Sequence, residues 1–180
     1  MRKVIHKWFW IWNFDKEEKW LNEMAAKGLA LTSVSFFRYE FEDCVSGEYK
    51  ICLEFLENNL KRVENEKYIG FLEETGAEHV GTFAGWAYFR KRTTEGNFRL
   101  FSDNTSRIKH LTRIINFIIL LVGVNLYAGC YNLFLYFYQH HSSVNIIGIV
   151  NLLLAAFIMT GLIRLLHKRN KLKSEQQIFE

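Results

Sequence analysis

The side chains in this chain that could do chemistry are three cysteines, six histidines and two pairs of adjacent glutamates. Cys44, Cys52 and Cys130 are odd in number and show no C-x-x-C spacing, so neither a disulfide framework nor a zinc site is expected. A turn centred on Ser46-Gly47 would set Cys44 opposite Tyr49 rather than Cys52, which leaves free thiols as the reading. His140 and His141 adjoin each other with no Cys, Asp or Glu nearby, and they read as solvated imidazoles. Glu17-Glu18 and Glu73-Glu74 fall in helical segments and read as solvated faces. Lys50 and Glu54 would share one face of a strand, as an ion pair or as an acid–base couple. An enzyme of the dimeric α+β barrel type would have to work through Lys50, Glu54 or His79. Phosphate loops of the form G-x-x-x-x-G-K-[ST], dinucleotide turns G-x-G-x-x-G and nucleophile elbows G-x-S-x-G are absent from the sequence. No catalytic residue, metal ligand or cofactor is therefore expected.

The elements that would position these residues divide into unlike halves. Residues 1–102 carry 15 Lys/Arg and 16 Asp/Glu, while residues 103–180 carry 8 and 3. The whole excess of positive charge thus lies with the long apolar runs. A nucleic-acid partner is not expected, because the first half has a net charge of −1 and its third strand, Glu48 to Phe55, lacks a basic glycine-aromatic pattern.

From Ile114 to Tyr138 there are 25 residues without a charge, and from Val144 to Ile163 another 20. As helices these would measure about 38 Å and 30 Å, enough to cross a hydrocarbon core of about 30 Å. Two helices apolar all round would need a larger soluble layer than about 100 residues can supply, so lipid is the expected solvent. Arg107, Lys109 and Arg113 precede the first run, and Arg164, Lys168, Arg169, Lys171 and Lys173 end or follow the second. The connecting Gln139 to Ser143 has no Lys or Arg, so both termini are expected in the cytoplasm of a multi-pass plasma-membrane protein. Asn116, Asn125, Asn132, Asn145 and Asn151 are expected to hydrogen-bond from helix to helix.

In the first half, Glu18-Lys19-Trp20 is followed eight residues after the Trp by Gly28, and Glu66-Lys67-Tyr68 eight residues after the Tyr by Gly76. Each copy reads as a helix, a glycine stop and an aromatic strand. The expected elements are strands at about 6–12, 33–43, 48–56 and 80–91 and helices at about 16–27 and 66–75. Asp15 and Glu18 would form a capping box on the first helix, and Asn65 would cap the second. Trp20, Leu21, Met24 and Ala25 would make the first helix's core face. The apolar run Trp8 to Trp12 is too short for a secretory signal and reads as part of the first strand. The order β-α-β-β-α-β gives an α+β, ferredoxin-like domain with one open sheet face. The expected layout is a cytoplasmic domain (1–102), a basic linker (103–113), spans at 114–138 and 144–166, an outer loop (139–143) and a basic cytoplasmic tail (167–180). Trp8, Trp10, Trp12, Phe36, Phe37, Trp86, Tyr88 and Phe89 supply more aromatic surface than two short helices cover, and Trp8, Trp10, Trp12, Phe37, Trp86 and Tyr88 are the candidate interaction surface.

Lys7 to Trp12 with Asp15 to Gly28, and Tyr68 to Gly76 with Trp86 to Arg90, resemble bacterial proteins of the family named domain of unknown function 2812, over residues 5–110. The resemblance implies a membrane hairpin after the domain, a Gram-positive source, and genes often beside PadR-type transcription regulators. It implies no catalytic motif. The expected function is a membrane-anchored sensory or regulatory module, its aromatic face binding a protein partner, a second copy or an apolar small molecule. The alternative is an accessory subunit of a transporter or envelope complex.

Overall fold

Leu21, Leu31, Phe41, Ile51 and Phe89 are fully enclosed in a computed structural model of the chain, which describes residues 2–56, 62–96, 98, 100–101, 103–139 and 142–178. All five belong to the first of two compact units, Met1–Ser102 and Asp103–Glu180.

Unit 1 runs β1 (Arg2–His6), a 3-10 turn (Ile11–Asn13), α1 (Phe14–Ala26), β2 (Leu29–Ser35), β3 (Arg38–Asp43), β4 (Tyr49–Phe55), α2 (Arg62–Glu74), β5 (Glu78–Phe83), β6 (Trp86–Arg92) and a second 3-10 turn (Thr93–Glu95). The strands form two antiparallel three-stranded sheets, ordered β1-β3-β2 and β4-β6-β5. The order is therefore β-α-β-β twice over, where the sequence pattern predicts β-α-β-β-α-β. Each long aromatic stretch predicted as one strand is instead a hairpin. Phe36-Phe37 breaks the first and Ala84-Gly85 the second, and in each loop a residue takes up positive φ and turns the chain. The turn at Ser46-Gly47 does not pair its flanking strands, because β3 and β4 belong to different sheets.

The duplication has a constant offset. Gly28 and Gly76 both end their helices at positive φ, and 48 residues separate them. The same step carries Trp20 to Tyr68, Phe41 to Phe89 and the irregularity in β2 at Thr32 to that in β5 at Val80. Phe89 thus corresponds to Phe41 in the first copy.

The first helix begins one residue before Asp15, with Asn13 at the cap and no side-chain cap bond. Glu18 is drawn away from the expected capping box, because its carboxylate accepts the Leu53 N–H at 2.9 Å. Asn65 lies inside α2 rather than at its cap, since that helix starts at Arg62. β1 occupies Arg2–His6, and Trp8 to Trp12 leave the sheet instead of forming its strand. β4 is buried from Ile51 to Phe55, where alternation predicts a half-buried strand. Cys52 faces Phe89, Leu72, Ala77 and Phe98, while Leu53 and Phe55 are buried as well, so neither side of the strand is open to water.

Unit 2 consists of α3 (Asn104–Gln139) and α4 (Ser142–Ile178), packed side by side. Both are long and apolar enough to cross a membrane. They approach closely at Gly129 and Gly148: a Cβ on Gly129 would lie 3.2 Å from the Gly148 carbonyl, and one on Gly148 3.2 Å from that of Gly129. Asn125, Asn132 and Asn151 each commit an amide donor locally. Each donates to its own helix, to Leu121, Ala128 and Ile147 carbonyls at 2.8, 2.7 and 2.9 Å, because a carbonyl four residues back is within reach of a short amide. The Gln176 amide donates to the Thr105 hydroxyl at 3.3 Å. The start of α3 and the end of α4 therefore lie together, and Arg107, Lys109, Arg113, Lys168, Arg169, Lys171 and Lys173 gather at one end of the pair.

Candidate functional site

Two sites in unit 1 carry groups out of the ordinary: a buried acid at the junction of the repeats, and an aromatic surface at the hairpin tips.

The buried acid is Glu17. Helical spacing places it on the stripe of Leu21, Met24 and Ala25, and it is 7% exposed rather than solvated as its neighbouring pair of carboxylates suggests. Its Oε1 accepts hydrogen bonds from Tyr39 on β3 and Tyr88 on β6, each at 2.7 Å. Burial holds the Glu17 carboxyl above the usual carboxylate range, and the two phenol bonds offset part of that rise. Burial, with the Glu17 charge alongside, also pushes both phenols up. One side chain of α1 therefore ties the central strands of both sheets together.

The same helix closes a strand edge. The Asn22 amide donates to the Ile51 carbonyl at 2.8 Å and accepts the Ile51 N–H at 3.0 Å, as a neighbouring strand would. With Glu18 on Leu53, α1 occupies backbone groups on the outer edge of β4, the end strand of its sheet. Where the two repeats adjoin, Arg90 bonds Glu78 at 2.7 Å, Glu42 at 3.0 Å and the Leu31 carbonyl at 3.0 Å. Glu42 and Arg90 stand at the same place in the two copies, so the duplication meets itself in an ion pair.

These bonds commit the groups that could do chemistry. His79 is held by the Thr82 hydroxyl at 3.0 Å. Glu54 is fully buried, and Lys50 lines an open groove along α1 with Asp15, Glu18, Lys19 and Glu23. The Cys52 thiol donates to the Phe98 carbonyl and is pushed up by burial to about 12, far from a reactive thiolate. Among the described residues no three His, Cys, Asp or Glu side chains are grouped to hold a metal ion. His140 and His141 lie outside the described residues.

The aromatic surface starts where β1 ends. The Lys7 N–H donates to the Phe37 carbonyl at 3.0 Å, and the next residue, Trp8, lies 3.9 Å from the Phe37 ring. Phe37 sits at φ 57°, a left-handed conformation that costs a non-glycine residue about 1 kcal/mol. Ring contacts offset it: Phe36 lies 3.8 Å from Phe37 and 6.1 Å from Trp8. Phe83, at the tip of the second hairpin, lies 6.0 Å from Phe36. Trp10 meets Trp8 edge-on at 5.1 Å and stacks on Trp12 at 5.4 Å. Three separate segments thus build one cluster, in which Phe36 is 64% exposed, Trp8 47% and Trp10 40%.

Of the residues marked in the sequence as an interaction surface, Trp8 and Trp10 are exposed and Phe37 is half-buried. Trp12, Trp86 and Tyr88 are buried: Trp86 packs between Phe14 and Phe55, each 5.1 Å away, because α1 crosses the face that a simple four-stranded sheet would leave open. Phe36 belongs to the aromatic excess read from the sequence, while Phe83 and Glu17 stood outside that surface. Glu17 had a signal, its place on the core stripe of α1; Phe83 had none short of knowing the hairpins.

A family model described as a protein of unknown function, DUF2812, matches residues 13–123. The chain belongs to the DUF2812 family. The DUF2812 match runs from the start of α1 into α3, so it takes in Glu17, Asn22, Tyr39 and Tyr88 together with Phe36, Phe37 and Phe83. Trp8 and Trp10 precede it. No curated protein and no solved structure matches the chain.

Proposed function

We propose that this DUF2812 protein is a membrane-anchored sensory or regulatory module that binds rather than catalyses. α3 and α4 cross the plasma membrane as a hairpin with both chain termini in the cytoplasm, and unit 1 presents its aromatic hairpin tips as the binding surface. The observation that carries the membrane reading is how little the two helices cover each other. Only 28% and 22% of their most apolar windows are buried, and large side chains such as Leu120, Tyr127, Phe134, Leu153 and Phe157 stand exposed. In water that surface would be far larger than a soluble monomer carries; in lipid it costs nothing. At 36 and 37 residues the helices measure about 54 Å and 56 Å, so the basic end extends beyond a hydrocarbon core of about 30 Å.

Binding is favoured over catalysis because Glu17, Glu18, Asn22 and His79 are engaged in holding the fold, whereas the Trp8 and Phe36 rings stand exposed beside each other. The accessory-subunit alternative relies on asparagines free to dock a larger partner, and three of these each commit an amide donor within their own helix.

The test is extraction and labelling of the full chain in cells. Alkaline carbonate should leave it in the membrane pellet. An impermeant maleimide should label a cysteine at Ser143 from outside and one at Ser174 only after permeabilisation. A protein released by carbonate, or one labelled in the reverse pattern, sinks the reading.

A further inference from the structure

The aromatic end of unit 1 is also electrically one-sided. The segments that form it, Lys7 to Ile11, Ser35 to Arg38 and Thr82 to Trp86, contain Lys7 and Arg38 and no carboxylate; Glu40, two residues further along β3, pairs with Arg38 at 2.9 Å, and the Lys7 ammonium lies over the Phe9 and Trp20 rings. Carboxylates gather toward the other ends of the strands, where Glu42, Asp43, Glu48 and Glu78 lie. We propose that the hairpin tips dock on the surface of an anionic lipid bilayer, with Trp8, Trp10 and Phe36 entering the head-group region and Lys7 and Arg38 facing the phosphates. This rests on the membrane reading above and adds what the aromatic surface binds.

Three features favour lipid over other occupants. Indoles and phenyl rings beside cations are the side chains that partition to a bilayer interface. A second copy meeting tip to tip would set like charges together. The exit of the chain is also suitable: Phe98 packs on Cys52 and Phe89, and its carbonyl accepts the Cys52 thiol at 3.7 Å. After Arg92 the chain has therefore turned back, and at Phe98 it stands about 10 Å, three strand residues, from the tip at Trp86. α3 begins six residues later, at Asn104. The few residues between Phe98 and α3 keep unit 1 as a whole at high local concentration near any bilayer that α3 enters.

All five tryptophans, Trp8, Trp10, Trp12, Trp20 and Trp86, lie in unit 1, so indole emission from the full chain reports that unit alone. The experiment places the full chain in phosphatidylcholine vesicles, with or without phosphatidylglycerol, containing a lipid brominated near the head-group end of its acyl chain. Emission should be quenched about two-fold more in the anionic vesicles, and high salt should erase the difference. The double variant Trp8→Ser, Trp10→Ser should lose most of the quenching. Phe36→Ser, which removes no fluorophore, should weaken it. Unquenched emission that aqueous acrylamide still reaches would show tips facing water and overturn the proposal. Emission shielded from both quenchers, with copies cross-linking through position 36, would assign the surface to a second copy and overturn it equally. A chain that fails to float with the vesicles at all would instead defeat the membrane reading.

Discussion

Tyr39 and Tyr88, on the central strands of two different sheets, donate to the same oxygen of Glu17, each at 2.7 Å. The three groups form a buried junction, and removing the shared acceptor strands two phenols at once. Glu17→Ala should cost about 3 kcal/mol of unit 1 stability, by urea titration of the detergent-solubilised chain followed by tryptophan emission. Tyr39→Phe and Tyr88→Phe should each cost about 1 kcal/mol, and the double variant should depart from their sum because both act on one oxygen.

The same junction sets a pH dependence. Burial raises the Glu17 pKa in the folded state, so folded unit 1 holds that proton more tightly than the unfolded chain does. Its contribution is fully present below the unfolded value and is lost as pH rises through the folded one. The urea midpoint should therefore decline with rising pH just above the ordinary carboxylate range. Glu17→Gln, which keeps an acceptor for both phenols and cannot ionise, should flatten that part of the profile.

Asn22 stands in for a neighbouring strand at Ile51. Asn22→Ala should cost about 2 kcal/mol and speed amide exchange at Ile51, while leaving exchange in β1 unchanged. An Ile51 amide as protected as before would show that α1 does not close that edge.

Ala84 is exposed and sits at φ 49° in the second hairpin loop. Ala84→Gly should raise stability by up to about 1 kcal/mol, because the left-handed conformation no longer carries a Cβ. Gly28→Ala should do the reverse and more strongly: φ is 80° and the new methyl would lie 2.9 Å from the Cys44 carbonyl oxygen. Paired urea midpoints measure both.

At the crossing of α3 and α4, a Cβ on Gly129 would lie 2.7 Å from Leu152. Gly129→Val should lower the thermal midpoint of the helix pair in detergent, by about 2 kcal/mol of destabilisation. Gly123→Ala, with nothing within 4 Å of the new methyl, should be neutral or stabilising.

Length, charge and local chemistry decided part of this protein from the sequence alone. A run of 25 uncharged residues, helix-ending glycines 48 apart and basic residues flanking the apolar stretches are local facts, and each dictates local structure wherever the chain goes. Alternation along a strand is informative only when one of its faces meets water. β4 is enclosed on both, so its pattern gave the wrong burial for Cys52 and Glu54. The hairpin tips, the pairing of β1 with β3 and the burial of Trp12, Trp86 and Tyr88 follow from α1 lying against both sheets. Contacts between residues far apart in the chain made those choices, which is why Glu17 became a buried acceptor and Phe36 an exposed ring.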